Sequence, residues 1–147
     1  MPYAERLTVP LRWWVQGTML VASFWFAVAV AIPTILGAAL LALAVGLLVA
    51  AGFINYGSAR VAVEDGELRA GKAHIPVALI GEVEALDKER THLVAGREAD
   101  ARAYLLMRPY LKRSVKVTIN DERDPTPYWL ISTRHPKRLA AAIEAAR

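Results

Sequence analysis

The chain contains no cysteine, so no disulfide can staple it and no thiolate can act as a nucleophile or metal ligand. That absence fits a cytosolic setting. Histidine is sparse. His74, His92 and His135 lie far apart, with no HExxH spacing and no His-rich tract, so neither a metal nor a cofactor is expected. No phosphate loop, dinucleotide fingerprint or nucleophile elbow occurs. The largest absence is of charge: none of the 47 positions between Arg12 and Arg60 is charged or a histidine. Without an ionisable group in that run, a proton relay, ion path or transporter site is not expected.

What fills the gap is apolar. As one straight helix the run would reach ~70 Å at ~1.5 Å per residue, over twice the ~30 Å hydrocarbon core of a bilayer. It therefore has to fold back. Pro33 divides it into Trp13–Ile32 and Thr34–Ile54, each matching the ~20 residues needed to span. The reading is a cytoplasmic N-terminal segment at 1–12, spans at 13–32 and 38–56, a turn at 33–37 containing Pro33 and Gly37, and a soluble domain at 57–147. Ala27-Val28-Ala29 and Ala29-Val30-Ala31 resemble signal-peptide cleavage sites, but the apolar stretch before them exceeds the usual ~7–15 residues and continues afterwards. A buried soluble hairpin fails differently, because so small a domain could not cover two helices apolar all round.

Positive charge orients the hairpin. Arg6 and Arg12 precede the first span, Arg60, Arg69 and Lys72 follow the second, and the turn carries none. The positive-inside rule places both termini in the cytoplasm of a multi-pass plasma-membrane protein. Trp13, Trp14 and Tyr56 sit at the cytoplasmic ends, where amphipathic rings favour the headgroup layer. Small residues recur every four positions as Ser23, Ala27 and Ala31 on the first helix and Ala38, Ala42, Gly46 and Ala50 on the second. Such stripes let helices approach closely in lipid, so they are the expected packing faces, within the hairpin or in a homo-oligomer.

Residues 60–147 read as a small α+β domain. Arg60–Glu64 alternates, Asp65-Gly66 is a hairpin signal, and Ile80–Leu86 is a longer strand. Asp87–Val94 looks helical and Gly96 would end it. Ala103–Met107 and Val115–Ile119 read as a hairpin joined through Arg108-Pro109-Tyr110. Tyr128–Ser132 is the last strand, and Pro136 opens a terminal helix whose apolar face is Leu139 and Ile143. Alternation sends Trp129 and Ile131 to one face of that strand, with the terminal helix as the expected mate of Trp129, and Tyr128 and Leu130 to the other. The pattern predicts an antiparallel sheet or partial barrel capped by the C-terminal helix, which looks like pleckstrin-homology-like domains; that likeness is at fold level.

Three stretches, with the double span, carry a narrower resemblance: Tyr3-Ala4-Glu5-Arg6-Leu7-Thr8-Val9-Pro10, Gly81-Glu82-Val83-Glu84-Ala85-Leu86-Asp87, and Asp124-Pro125-Thr126-Pro127-Tyr128-Trp129-Leu130-Ile131-Ser132-Thr133-Arg134. Nearly the full length is similar to an actinobacterial membrane-protein family, domain of unknown function 3093. The resemblance implies a two-span membrane protein and transfers no catalytic residue.

No catalytic residue emerges from the chain itself. Ser132-Thr133-Arg134-His135 reads as a strand end with Thr133 a capping candidate, and Glu82, Glu84, Asp87 and Glu89 as a solvated face. Binding is better supported. Arg108, Lys112, Arg113 and Lys116 cluster around the expected hairpin, and Arg134, Lys137 and Arg138 at the start of the last helix. Such cations on a tethered domain would meet anionic headgroups or a partner, each charge contributing ~1 kcal/mol near the surface. Asp121, Glu122 and Asp124 stand between the clusters, which favours an ordinary solvated face. A soluble part of only +3 without a recognition motif argues against nucleic acid. The expected function is a non-enzymatic membrane-anchored adaptor or scaffold binding a protein partner or anionic lipid; the alternative is an accessory subunit of a membrane enzyme or transporter.

Overall fold

The computed structural model describes residues 2–147. Its elements are β1 (Tyr3–Arg6), α1 (Leu11–Ala31), α2 (Ile35–Tyr56), β2 (Arg60–Glu64), β3 (Glu67–Ala70), β4 (Ala73–Pro76), a 3-10 turn (Val77–Leu79), β5 (Ile80–Leu86), α3 (Lys88–Ala95), β6 (Tyr104–Leu106), β7 (Ser114–Ile119), β8 (Tyr128–Ser132) and α4 (Pro136–Ala145). They form two compact units: Thr8–Ser58, and the residues up to Leu7 together with Ala59–Arg147.

The first unit is a helical hairpin of 21 and 22 residues, each helix long and apolar enough to cross a membrane. Ile32 takes the extended conformation (φ −103°, ψ 121°) that a following proline favours, and α2 resumes at Ile35. The turn is thus tighter than 33–37, and Gly37 lies inside α2. A Cβ on Gly37 would stand 2.7 Å from Thr34 Oγ1, so the glycine makes room for the N-cap side chain. No residue of α1 is buried, and only Ala38 of α2 is.

Along the α2 stripe Ala38 is buried, and Ala42, Gly46 and Ala50 are partly covered. The stripe on α1 is placed differently. Ser23, Ala27 and Ala31 are exposed, while Gly17, Val21 and Val28 are partly covered. At 3.6 residues per turn, Ser23 lies about 200° around the helix from Val21, on the far side. The approach is made by Gly17 against the Phe53 ring, where a Cβ would sit 3.0 Å from Cε2, and by Gly46 against Val21. Trp14 meets Phe53 edge-on at 5.2 Å. Gly17→Leu should therefore destabilise the hairpin, by ~1–3 kcal/mol if overpacking in lipid resembles that in soluble cores. Thermal unfolding in detergent checks this; a midpoint equal to the parent's would count against the Gly17–Phe53 contact.

The second unit contains two four-stranded sheets, ordered β1-β2-β3-β4 and β5-β7-β8-β6. The N-terminal segment contributes the first strand of this unit. Tyr3–Arg6 pairs antiparallel with β2, Tyr3 opposite Val63 and Arg6 opposite Arg60, and Leu7 donates its N–H to Ala59 O at 2.9 Å. The hairpin of helices is thus an insertion between two adjacent strands of one sheet. Asp65 and Gly66 both have positive φ (53° and 72°), the geometry of a tight two-residue β-turn.

In the second sheet β6 does not form a hairpin with β7. It pairs parallel to β8, and β8 lies between the two. Because β8 separates β6 from β7, no tight turn can join those two strands, and residues 107–113 cross over the end of β8. Arg108 N–H donates to Ser132 Oγ there at 3.0 Å, and Arg113 O accepts from Thr133 N–H. The alternation of β8 holds. Trp129 and Ile131 enter the main core with Leu139 and Ile143 of α4, while Tyr128 and Leu130 pack with Leu86 and Val94 on the side of α3. The ring of Tyr104 also stands 5.1 Å from that of Trp129.

Candidate functional site

Leu86, Ser114 and Ser132 are register partners at one end of the second sheet. Adjacent strands lie ~4.8 Å apart, so the residues just beyond these three positions are forced together: Asp87 after β5, Arg113 before β7, and Thr133–His135 after β8. Asp87 caps α3 by accepting from Arg90 N–H at 2.8 Å. The result is a cleft of about 630 Å³ lined by Ala85–Asp87, Arg90, Arg113 and Arg134–Arg138. Five cations, Arg90, Arg113, Arg134, Lys137 and Arg138, face a single lining acid, Asp87.

One wall is held by a carboxylate of β1. The Glu5 side chain is only 9% exposed. It accepts from Tyr3 OH at 2.7 Å, Thr133 Oγ1 at 2.5 Å and Arg134 N–H at 3.0 Å, and its Oε1 lies 3.5 Å from Arg134 Nη1. That same Nη1 donates to Arg6 O at 3.1 Å. Thr133 does not cap α4 as expected; it bonds Glu5 and accepts from His135 N–H. Burial pushes the Glu5 carboxyl up, but the Thr133 and Tyr3 hydroxyls, the Arg134 amide and the Arg134 guanidinium outweigh it and hold it below the usual range. The Tyr3 phenol is pushed up to about 12, by burial first and by Glu5 beside it.

The sign for stability follows. A carboxyl with a depressed folded pKa stabilises the fold above its unfolded value of about 4.3, and that stabilisation is lost as pH falls through the folded value. Glu5→Gln should lower stability at neutral pH and shallow its decline between about pH 6 and pH 3. Chemical denaturation across that range reads both, and a parallel acid limb would exclude Glu5 as the titrating group.

The remaining cations are unbalanced. Arg90 pairs with Glu98 at 3.3 Å, whereas Arg113, Lys137 and Arg138 form no ion pair among the described residues. α4 has no side-chain N-cap and no acid in its first turn. Pro136, Lys137 and Arg138 occupy that turn, where cations oppose the positive end of the helix dipole by ~0.3–1 kcal/mol each. An anion in the cleft would relieve this.

The structure thus redistributes the seven basic residues. Arg113, Arg134, Lys137 and Arg138 converge. Arg108 folds back on Met107 O, Lys112 is exposed outside the lining, and Lys116 lies 4.8 Å over the Tyr128 ring, across from Glu84. Arg90 was missed; its signal was its place three residues after a helix-capping Asp. The acidic loop carrying Asp121, Glu122 and Asp124 does not separate the cations. It joins β7 to β8 at their opposite ends, ~17 Å away by strand rise.

Glu82, Glu84 and Glu89 are exposed. His74 sits in β4, His92 in the last turn of α3, and His135 before α4 in the cleft. Among the described residues, no group of three or more His, Cys, Asp or Glu could hold a metal ion. The arrangement can bind and neutralise an anion. No curated protein and no solved structure matches the chain. The family model for a protein of unknown function, DUF3093, matches residues 2–143, and the chain belongs to that family.

Proposed function

We propose that this protein is a membrane-anchored, non-enzymatic adaptor, its hairpin in the bilayer and its α+β domain in the cytoplasm presenting a basic cleft to an anionic lipid surface or partner. The observation that carries this is the hairpin's surface. Leu20, Phe26, Val30, Ile35, Leu36 and Leu48 are all exposed, and burying such side chains against lipid is worth ~1.5–3 kcal/mol each. The pairing of β1 with β2 supports the topology. Strands before and after the hairpin hydrogen-bond to each other, so they lie on one side of any bilayer, and the flanking Arg12 and Arg60 favour the cytoplasmic side. A meander of four strands, a second sheet with the antiparallel neighbours β5-β7-β8 and a C-terminal helix support a pleckstrin-homology-like reading; the parallel edge strand β6 and the inserted hairpin depart from it. The cleft's one lining carboxylate is engaged in capping α3, which supports binding over acid–base chemistry.

A reporter fused after Arg147 tests the placement. Activity of a reporter that works only in the cytoplasm is expected, and activity of one that works only outside would overturn it. Retention of a stoichiometric membrane partner through purification in mild detergent would favour the accessory-subunit reading.

A further inference from the structure

We propose that the cleft between α3, β7 and the first turn of α4 is a binding site for a phosphate group, held by Arg113, Lys137 and Arg138, with Arg90 and Arg134 as its walls. This deepens the adaptor reading and rests on it only for the source of the phosphate. Three observations converge. The cleft's volume of about 630 Å³ falls within the ~300–1,000 Å³ of ligand pockets. Its lining is four charges positive after Asp87 is counted, and still two positive once the Arg90–Glu98 and Arg134–Glu5 pairs are taken out, an excess that suits an anion carrying two charges better than a single carboxylate. Arginine's planar fork bonds phosphate oxygens in pairs, and four of the five lining cations, Arg90, Arg113, Arg134 and Arg138, are arginines.

The start of α4 adds donors. The first N–H groups of a helix have no partner within it. Pro136 at the first position carries none, which leaves the amides of Lys137 and Arg138 beside their own side chains, at the end of the helix that attracts anions. Glu5 sets the geometry. By holding the Arg134 amide and guanidinium, it keeps one cation at the rim and leaves Arg113, Lys137 and Arg138 for the ligand. Arg134 is also bonded to Arg6 O, and only Leu7–Pro10 separate Arg6 from α1. A lipid headgroup phosphate or a free one could supply the chemistry.

The full chain in phosphatidylcholine nanodiscs, at constant ionic strength, distinguishes the sources. One arm titrates inorganic pyrophosphate; the other replaces part of the lipid with phosphatidic acid, whose phosphate is an exposed monoester. Each reads the thermal midpoint, which rises when a ligand binds the native state; calorimetry gives Kd in the first arm. A rise with pyrophosphate identifies a soluble phosphate ligand, and a rise only with phosphatidic acid identifies the headgroup. The triple variant Arg113→Gln, Lys137→Gln, Arg138→Gln should abolish the rise and weaken pyrophosphate binding about tenfold or more, as lost charge-assisted bonds require. Without ligand it should unfold at or above the parent's midpoint, because it relieves repulsion at the helix end. Lys112→Gln, outside the cleft, should behave as the parent. No rise in either arm, or a rise that the triple variant and Lys112→Gln share, would overturn the site. If alkaline washing extracts the protein from membranes, the adaptor reading fails while the pyrophosphate arm still decides the cleft.

Discussion

A fragment beginning at Arg60 is expected not to fold, although residues 60–147 look like a complete soluble domain in sequence. The reason is β1. Leu7 is fully buried and Tyr3 nearly so in the main core, each worth ~1.5–3 kcal/mol. Glu5 satisfies Thr133 and Arg134 from the same strand, and Leu7 O accepts from Tyr110 OH. Together these losses approach the whole ~5–15 kcal/mol stability of a small domain. They also leave the edge of β2 unpaired, a template for aggregation. The complementary version should succeed. Leu7 and Ala59 are already hydrogen-bonded, so replacing Thr8–Ser58 with a short turn closes β1 onto β2 as an ordinary hairpin. Gel filtration and denaturant unfolding of both forms check this. A monomeric 60–147 fragment with a cooperative transition would refute the role given to β1.

Trp129→Ala should cost ~3–5 kcal/mol, the range for truncating a large core aromatic. Trp129 is 5% exposed, pairs in register with Val117 and Tyr104, and stacks at a tilt on the Tyr104 ring. Tyr104 OH in turn donates to Ala70 O at 2.8 Å, so its ring ties the edge of the second sheet to β3 of the first. Removing Trp129 opens a cavity at that junction and loosens the Tyr104 anchor as well. Tyr104→Phe separates the two effects, since it keeps the ring contact and loses only one hydrogen bond, worth ~0.5–1.5 kcal/mol. Denaturant midpoints of the short-turn domain measure both. A Trp129→Ala form within about 1 kcal/mol of the parent would move Trp129 out of the core.

The parts of the fold legible in sequence are those decided by neighbours along the chain. Composition and length mark two helices able to cross a membrane, and Pro33 marks their turn because proline stops a helix locally. Asp65-Gly66 reads as a turn because both residues tolerate positive φ. Asp87 reads as a cap, and the alternation of Tyr128–Ser132 predicts which side chains share a core, because a strand's faces follow from period two alone.

Tertiary structure decided what depends on pairing across long separations. Tyr3–Arg6 joins β2 over an insertion of more than fifty residues, and four residues carry too short a pattern to show it. β6 passes over to the far side of β8 because its edges could be satisfied there; nothing local distinguishes that from a hairpin with β7. The face of α1 that meets α2 follows from where Phe53 and Val21 project, so a small-residue stripe on the opposite face reads the same in sequence. The basic cleft is the clearest case. Asp87, Arg113 and Thr133 are distant in sequence, and they meet because Leu86, Ser114 and Ser132 end three adjacent strands in register. Sequence order put acids between the two basic clusters. The antiparallel run of β7 and β8 carries those acids to the other end of the sheet, since a strand separates its two ends by its full rise.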